Sequence, residues 1–202
     1  MYYLHTMVTT MLCNANNFPF FFTVTDGSEE REAVCELKGA LKGSIKLEEK
    51  ENGELLLSGE ITGLKPPGKH GFHVHQKGSL GNSCKDTGGH FNPFNKKHGD
   101  VNAIERHEGD FSNILADNQG IAKVSVVRQG GKLAYLINRA IVVHAGVDDL
   151  GLGGASDSLT TGNAGARLDC CIIESAKSSS GTRTSGITLA AILFLPLFIF
   201  FL

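Results

Sequence analysis

The stretch SIKLEEKENGELLLSGEIT, residues 44–62, decides the fold class of this chain. Apolar and polar residues alternate before the pair Asn52-Gly53, and apolar residues recur with a spacing of two or four after it, which is the pattern of two half-buried strands joined by a hairpin turn. The alternating apolar residues are Ile45 and Leu47 before the turn, then Leu55, Leu57 and Ile61 after it. We therefore expect two neighbouring antiparallel strands here.

Similar patterns continue along the chain. Further strands are predicted at 72–75, 121–127, 139–144 and 168–173, with an earlier one around Cys35 and a turn at 117–120. The 25 glycines favour short strands and turns over packed helices. Six to eight strands predict an all-β sandwich or barrel. Two glycine-rich segments, 76–109 and 145–166, are too long for simple connections and are expected to be functional loops.

Length and composition limit the protein to a few classes. A chain of 202 residues with 41% hydrophobic and 20% charged residues allows one folded domain with short extensions and excludes a disordered chain. The net charge is -2, and the sequence has no basic run long enough to hold a phosphate backbone. Nucleic acid is therefore not an expected partner.

Both ends differ in composition from the middle. We divide the chain into a possible leader and N-terminal extension (1–30), a folded domain (31–176), a Ser/Gly/Thr spacer (177–186) and a hydrophobic tail (187–202). The tail, ITLAAILFLPLFIFFL, spans about 24 Å as a helix, less than the roughly 30 Å of a bilayer core. Small residues, a short polar spacer and an apolar tail favour a GPI-attachment signal. A tilted or tail-anchored helix and no membrane role are the alternatives.

The N-terminus must then direct the chain into the secretory pathway. Residues 1–13 are moderately apolar but lack a basic start, and Cys13-Asn14-Ala15 offers a small-x-small cleavage point. A cleaved leader and a disordered tail both remain open. The tail predicts an extracellular protein, either anchored to the cell surface or secreted.

Most of the histidines gather at the two long loops. His73 and His75 are two residues apart on a predicted strand, so their imidazoles point to the same face. With His144 they form a nitrogen-rich set that suits Cu(II). The first loop adds three imidazoles and one carboxylate, a closed tetrahedral set for structural zinc. These residues are His90, His98, His107 and Asp110.

Several blocks of the sequence together resemble the copper/zinc superoxide dismutase family over about residues 33–173. The blocks are GFHVHQ (71–76), GGHFNPFNKKHGD (88–100), ERHEGD (105–110), IVVHAGVDDLG (141–151) and TGNAGARLDC (161–170). The resemblance implies an eight-stranded Greek-key β-barrel. It also implies an antioxidant enzyme with one copper and one zinc per chain, which converts two superoxide anions and two protons to oxygen and hydrogen peroxide.

The resemblance assigns a role to each site residue. It implies that copper is held by His73, His75, His90 and His144, and zinc by His90, His98, His107 and Asp110. His90 would bridge the metals and hold a proton in the reduced state, and Asp148 would connect ligands of both. Arg167 would be the cation beside the copper, and Cys84 and Cys170 would form a disulfide. Loop 145–166 contains no lysine or arginine, which leaves Arg167 as the main local cation.

Two other functions fit the sequence less well. Copper delivery is the alternative, but such chaperones carry C-x-x-C and C-x-C pairs that this sequence lacks. A β-sandwich that only binds partners disagrees with the complete ligand set. We expect Cys35 to be a small buried hydrophobe, and Cys171 to face away from Cys170 and not to share its partner. A homodimer is left open, because the polar Glu174 and Ser175 follow Ile173 where the family buries apolar residues.

Overall fold

A computed structural model describes residues 31–65 and 67–176 as one folded unit. Its eight long strands are β1 (Glu32–Leu37), β2 (Lys42–Glu49), β3 (Glu54–Thr62), β4 (Gly68–His75), β5 (Asp110–Ala116), β6 (Ile121–Gln129), β7 (Ala140–His144) and β8 (Arg167–Ser175). The connections contain single turns of helix at Lys85–Thr87, Leu133–Tyr135 and Ser158–Thr161. Outside this unit, Leu12–Cys13 pairs with Pro19–Phe20 as a separate two-stranded sheet.

The eight strands close into an antiparallel barrel in the order β8-β1-β2-β3-β6-β5-β4-β7. The connections from β3 to β4 and from β6 to β7 skip neighbouring strands, which makes the topology a Greek key. This confirms the all-β, eight-stranded barrel. The two segments predicted as functional loops connect β4 to β5 and β7 to β8.

The hairpin that starts from residues 44–62 is β2 and β3. Leu47 pairs with Leu57 across the hairpin, and Gly53 adopts the positive φ of 82° that its turn requires. The side chains of the five alternating apolar residues are fully buried in the barrel core: Ile45, Leu47, Leu55, Leu57 and Ile61. The period-two prediction is therefore confirmed for both strands.

The other predicted strands are also present, but one strand was missed. The strands predicted at 72–75, 121–127, 139–144 and 168–173 are β4, β6, β7 and β8. The missed strand is β5, in which Asp110 and Phe111 are both buried and Ser112 has a φ of 62°. The register between β4 and β5 also shifts at this point. An irregular strand of this kind has no clean alternation for a sequence pattern to detect.

Two disulfides attach to adjacent residues of β8. Cys170 is bonded to Cys84 in the first loop, the pair that the resemblance implies. Cys171 is bonded to Cys35 on β1. Cys171 thus does not share the partner of Cys170, as expected, whereas the expectation that Cys35 is only a small buried hydrophobe was wrong. Cys35 is fully buried, but the register places Ile173 opposite it, so Cys171 is close enough to form a bridge.

The chain ends fall outside this description. No helix among the described residues is long and apolar enough to cross a bilayer. The hydrophobic tail at 187–202 and the possible leader before residue 30 lie outside the residues that form the barrel.

Candidate metal centre

The barrel and its loops place seven predicted ligands in two buried clusters that share one histidine. The four-histidine cluster contains His73, His75, His90 and His144, and the three-histidine cluster contains His90, His98, His107 and Asp110. Within each cluster, the possible ligand atoms all lie within 4.8 Å of one another.

The strand period explains why three of these histidines meet. Phe72 and Val74 point into the core, so His73 and His75 point outward from β4. The neighbouring strand β7 ends in His144, one residue after the core residue Val143. His90, from the first loop, joins them through an isolated bridge to His75.

Hydrogen bonds fix the orientation of three rings in the four-histidine cluster. His75 Nδ1 donates to the Gly88 carbonyl at 2.8 Å, and His144 Nδ1 donates to the Gly165 carbonyl at 3.1 Å. His73 Nε2 donates to Asp148 at 2.8 Å. The opposite nitrogen of each neutral ring therefore carries a lone pair.

The nitrogen atoms that carry these lone pairs are arranged as ligands of one metal ion and not as hydrogen-bond partners of one another. The Nε2 atoms of His75 and His144 are 3.2 Å apart. Two imidazole nitrogens bound tetrahedrally at about 2.0–2.1 Å would be about 3.3 Å apart. Nδ1 of His73 and Nε2 of His90 are buried and have no hydrogen-bond partner. The donor set therefore fits a cation that accepts nitrogen ligands, such as copper.

The three-histidine cluster is centred on one carboxylate oxygen. Asp110 Oδ1 lies 2.9 Å from His90 Nδ1, 3.0 Å from His98 Nδ1 and 3.2 Å from His107 Nδ1. Its second oxygen accepts the backbone N–H groups of Gly99 and His107 at 3.1 and 2.8 Å. Three imidazoles and one carboxylate are a complete tetrahedral set for zinc, with no open position.

Asp148 connects the two clusters. One of its oxygens accepts a hydrogen bond from His73 at 2.8 Å, and the other accepts one from His98 at 2.7 Å. Sequence reasoning missed Asn113, whose side chain forms two hydrogen bonds with the backbone of Asp148. No sequence pattern indicated Asn113, because it lies on the irregular strand β5, far from the loop that it holds.

Burial and charge shift the pKa of His98 in the opposite direction from the pKa values of His73, His75 and His144. Burial, together with the neighbouring His90, lowers the pKa of His73 to about 3 and that of His75 to about 2. Burial also lowers the pKa of His144 to about 4. Burial opposes protonation of His98 too, but its hydrogen bonds to Asp110 and Asp148 raise its pKa to about 9. His73, His75 and His144 are therefore neutral at pH 7 and free to bind a metal ion.

Arg167 begins β8 beside the four-histidine cluster and is held against the first loop. Its Nη1 donates to the Cys84 carbonyl at 2.5 Å, and its Nη2 donates to the Gly88 carbonyl at 2.7 Å. Nη1 also donates to the Thr87 hydroxyl at 2.8 Å, and the same hydroxyl is 3.1 Å from Nδ1 of His75. The sequence did not single out Thr87. These contacts hold the guanidinium close to the ligands.

A family model and several proteins of known sequence match this chain. The model for copper/zinc superoxide dismutase (SODC) matches residues 41–173. A superoxide dismutase [Cu-Zn] from Paramecium bursaria Chlorella virus 1 is 48% identical over 151 residues, covering 73% of this chain and 80% of that protein. The superoxide dismutase [Cu-Zn] of Kluyveromyces lactis is 47% identical over 147 residues, covering 70% and 95%.

A plant protein and a solved structure extend the comparison. Superoxide dismutase [Cu-Zn] 2 from Mesembryanthemum crystallinum is 46% identical over 145 residues, covering 70% of this chain and 92% of that one. The crystal structure of the clock protein EA4 superposes with a TM-score of 0.70 at 36% identity. The match covers 75% of this chain and 99% of that structure.

Proposed function

The chain belongs to the copper/zinc superoxide dismutase family, and we propose that its two histidine clusters divide the two metals between them. The protein is a superoxide dismutase, which converts two superoxide anions and two protons to oxygen and hydrogen peroxide. In our assignment, copper is held by His73, His75, His90 and His144. Zinc is held by His90, His98, His107 and Asp110.

The position of His90 carries this assignment. Its Nδ1 faces Asp110 at 2.9 Å, while its Nε2 is buried without a hydrogen-bond partner. Its ring centroid is 4.0 Å from that of His73 and 5.5 Å from that of His107. One imidazole therefore serves both clusters, with Nδ1 directed to zinc and Nε2 to copper.

Copper, when bound, supplies the one-electron redox chemistry, taking an electron from one superoxide and giving one to the next. The guanidinium of Arg167 attracts the anionic substrate and holds it near the four-histidine cluster. It stays in place because backbone carbonyls of residues 84 and 88 accept its hydrogen bonds.

The chain also supplies a place for a proton. Nε2 of His90 has no hydrogen-bond partner, so this atom can hold a proton in the half of the reaction in which it is not bound to copper. Asp148 holds His73 and His98 in fixed orientations, so both rings keep their ligating nitrogens directed at the metals.

Metal reconstitution tests the assignment. We expect the protein stripped of metal to take up one copper and one zinc per chain. Cobalt(II) in the zinc position should give the intense absorption of a tetrahedral ion, and His107→Ala should abolish it while copper remains. An equal loss of both metals from His107→Ala, or uptake of zinc alone by the unaltered protein, would contradict the assignment.

The location of the enzyme is a second part of the proposal. A GPI signal or membrane anchor at 187–202 places the enzyme outside the cell, and two disulfides are compatible with an oxidising compartment. Ser175, at the end of β8, is about 26 Å along the strand from Arg167. A tether that follows residue 176 thus leaves the barrel away from the substrate-attracting cation.

Enzymatic release from cells tests the anchor. Phosphatidylinositol-specific phospholipase C should release the protein from intact cells, and the released chain should lack residues 187–202. Retention on the cells with those residues still present would favour a membrane-spanning tail.

The end of β8 offers little apolar surface to a second copy of the chain. Ile173 is fully buried in its own barrel, and Glu174 is charged and exposed. A homodimer of this chain should therefore be weak. Analytical ultracentrifugation at micromolar concentration should show mostly monomer, and a stable dimer at that concentration would contradict this.

A further inference from the structure

Arg128, on β6, is a buried cation that belongs to neither metal cluster. It is 2% exposed, and arginine is almost never so buried unless it is paired. Its partner is Glu108: Nη1 donates to the Glu108 carbonyl at 2.5 Å, and Nη2 donates to the carboxylate oxygen Oε2. Both contacts depend on one residue of the first loop.

The surroundings of Arg128 are shaped for a guanidinium. Gly131 has a φ of 99°, and a Cβ atom there would lie 3.1 Å from both Cζ and Nη2 of Arg128. The ring of Phe111 lies on another side, with its centroid 5.7 Å from Cζ. The Nε atom is buried and has no hydrogen-bond partner. Glu108 is therefore the main polar partner of this side chain.

Glu108 lies between two proposed zinc ligands, His107 and Asp110. The next residue, Gly109, is fixed by backbone hydrogen bonds to Phe91 and Val74 at 2.9 and 2.8 Å. The His107 N–H donates to Asp110 Oδ2 at 2.8 Å. Glu108 is held instead by Arg128, through both its backbone and its side chain.

The barrel gives this segment little other support from β6. Among the described residues, the only pair that joins β5 to β6 in the sheet is Ala116 with Ala122. Arg128 is near the opposite end of β6, where its backbone pairs with Leu55 of β3. Its side chain therefore crosses a part of the β5–β6 boundary that lacks ladder hydrogen bonds.

A second cation makes the carboxylate of Glu108 more important. Arg106 Nη1 lies 3.7 Å from Glu108 Oε1, so one carboxylate stands between two guanidinium groups. The side chain of Glu108 is only 14% exposed. Without this carboxylate, two poorly solvated positive charges would repel each other beside the segment that ends in Asp110.

We propose that the Glu108–Arg128 ion pair positions His107 and Asp110 for zinc. This inference rests on the zinc assignment proposed above. Partners that orient the ligands of a metal typically change its affinity by about 10- to 100-fold. Breaking the pair should therefore weaken zinc binding at least about tenfold and change copper binding much less, because three copper ligands lie on β4 and β7.

The test compares single variants that each lose one carboxylate with little exposure to solvent. Glu108→Gln removes the charge beside the zinc ligands. Glu49→Gln is the matched control, because Glu49 is 7% exposed and accepts hydrogen bonds from Lys132 and the Leu133 N–H, yet lies on β2, which supplies no ligand. Zinc affinity is measured by competition with a chromophoric chelator, and the cobalt(II) absorption spectrum reports the ligand geometry.

A double variant separates positioning from stability. Glu108→Leu combined with Arg128→Met replaces the ion pair by apolar groups, which often leaves stability unchanged or raises it. We expect weakened zinc binding and an altered cobalt spectrum in Glu108→Gln and in the double variant, but not in Glu49→Gln.

Three results would overturn the inference. Unchanged zinc affinity in Glu108→Gln shows that the pair does not position the ligands. Full zinc affinity in the double variant shows that the pair only neutralises buried charge. In both cases the unaltered protein still binds zinc, so the zinc assignment stands. Failure of the unaltered protein to bind zinc overturns that assignment and this inference together.

Discussion

Removing the disulfide between Cys35 and Cys171 should destabilise the barrel without moving the proposed metal ligands. The two residues lie on the adjacent strands β1 and β8 and are 0% and 1% exposed. Both strands are already joined by backbone pairing, so the bridge contributes mainly by restricting the unfolded chain. The perturbation is the double variant Cys35→Ala/Cys171→Ala.

The size of the effect depends on the other disulfide. Taken alone, a loop with a sequence separation of 136 corresponds to about 5 kcal/mol in the chain-entropy model. The Cys84–Cys170 bridge lies inside this loop and offers a shorter path between Cys35 and Cys171. That path runs from 35 to 84, across the bridge, and from 170 to 171, about 50 residues in all. For a loop of this length, the stabilisation falls to about 4 kcal/mol. At about 2–4 °C per kcal/mol, the midpoint of thermal unfolding should fall by roughly 8–16 °C.

The assay is urea unfolding of the metal-stripped protein at pH 7, with Cys84–Cys170 oxidised in both proteins. The urea dependence of the unfolding free energy should also increase, because a less constrained unfolded chain exposes more surface. The control repeats the comparison in strong reductant, where the two proteins differ only by two core sulfur atoms. The entropic argument is refuted if the oxidised and reduced comparisons give the same difference within about 1 kcal/mol.

Three further predictions concern the site. His90→Ala should abolish turnover and weaken the binding of both metals, because one imidazole serves both clusters. Elemental analysis and activity assays measure this, and near-normal activity would contradict it. Arg167→Gln should slow the reaction at least about tenfold, about 1.4 kcal/mol in the barrier. The rate measured by pulse radiolysis should fall only slightly as the salt concentration rises, since loop 145–166 contains no lysine or arginine for salt to screen. A steep fall of the rate with salt that persists in Arg167→Gln would mean that other residues attract the substrate. The metal-stripped protein should be most stable near pH 6.5. Because the pKa of His98 is raised to about 9 in the folded protein, stability should decline as the pH rises from 6.5 toward 9. Because the pKa of His73 is lowered to about 3, stability should also decline as the pH falls below 6.5. Urea titrations from pH 4 to pH 9 measure this, and a flat profile would contradict it.

Local sequence patterns predicted most of the barrel, because its strands bury alternate residues. Ile45 and Leu47 are examples, since each is apolar between polar neighbours and each points into the core. β5 escaped because Asp110 and Phe111 are buried together and Ser112 breaks the extended backbone. A proposed metal ligand at the start of the strand and a register shift beside it remove the period on which the prediction depends.

The proposed ligands could be named from the sequence, but the contacts that hold them could not. His73 and His75 follow the strand period, and the family blocks indicate the others. Asn113, Thr87 and Arg128 form their contacts with residues distant in sequence, across irregular loops. The same holds for Cys35, whose partner is 136 residues away and could be identified only from the register of β1 and β8.

Three of the seven proposed ligands, His90, His98 and His107, lie on the first loop, so their positions must be fixed by cross-links between that loop and the barrel. Strand β8 supplies three of them within five residues: Arg167 holds the carbonyls of the first loop, Cys170 is bonded to Cys84 in that loop, and Cys171 is bonded to β1. Side chains alternate along a strand, so Cys170 faces the loop while Cys171 faces the core. Any motion of the first loop relative to the proposed copper ligands on β4 and β7 must therefore also strain β8, and β8 is itself bonded to the barrel core.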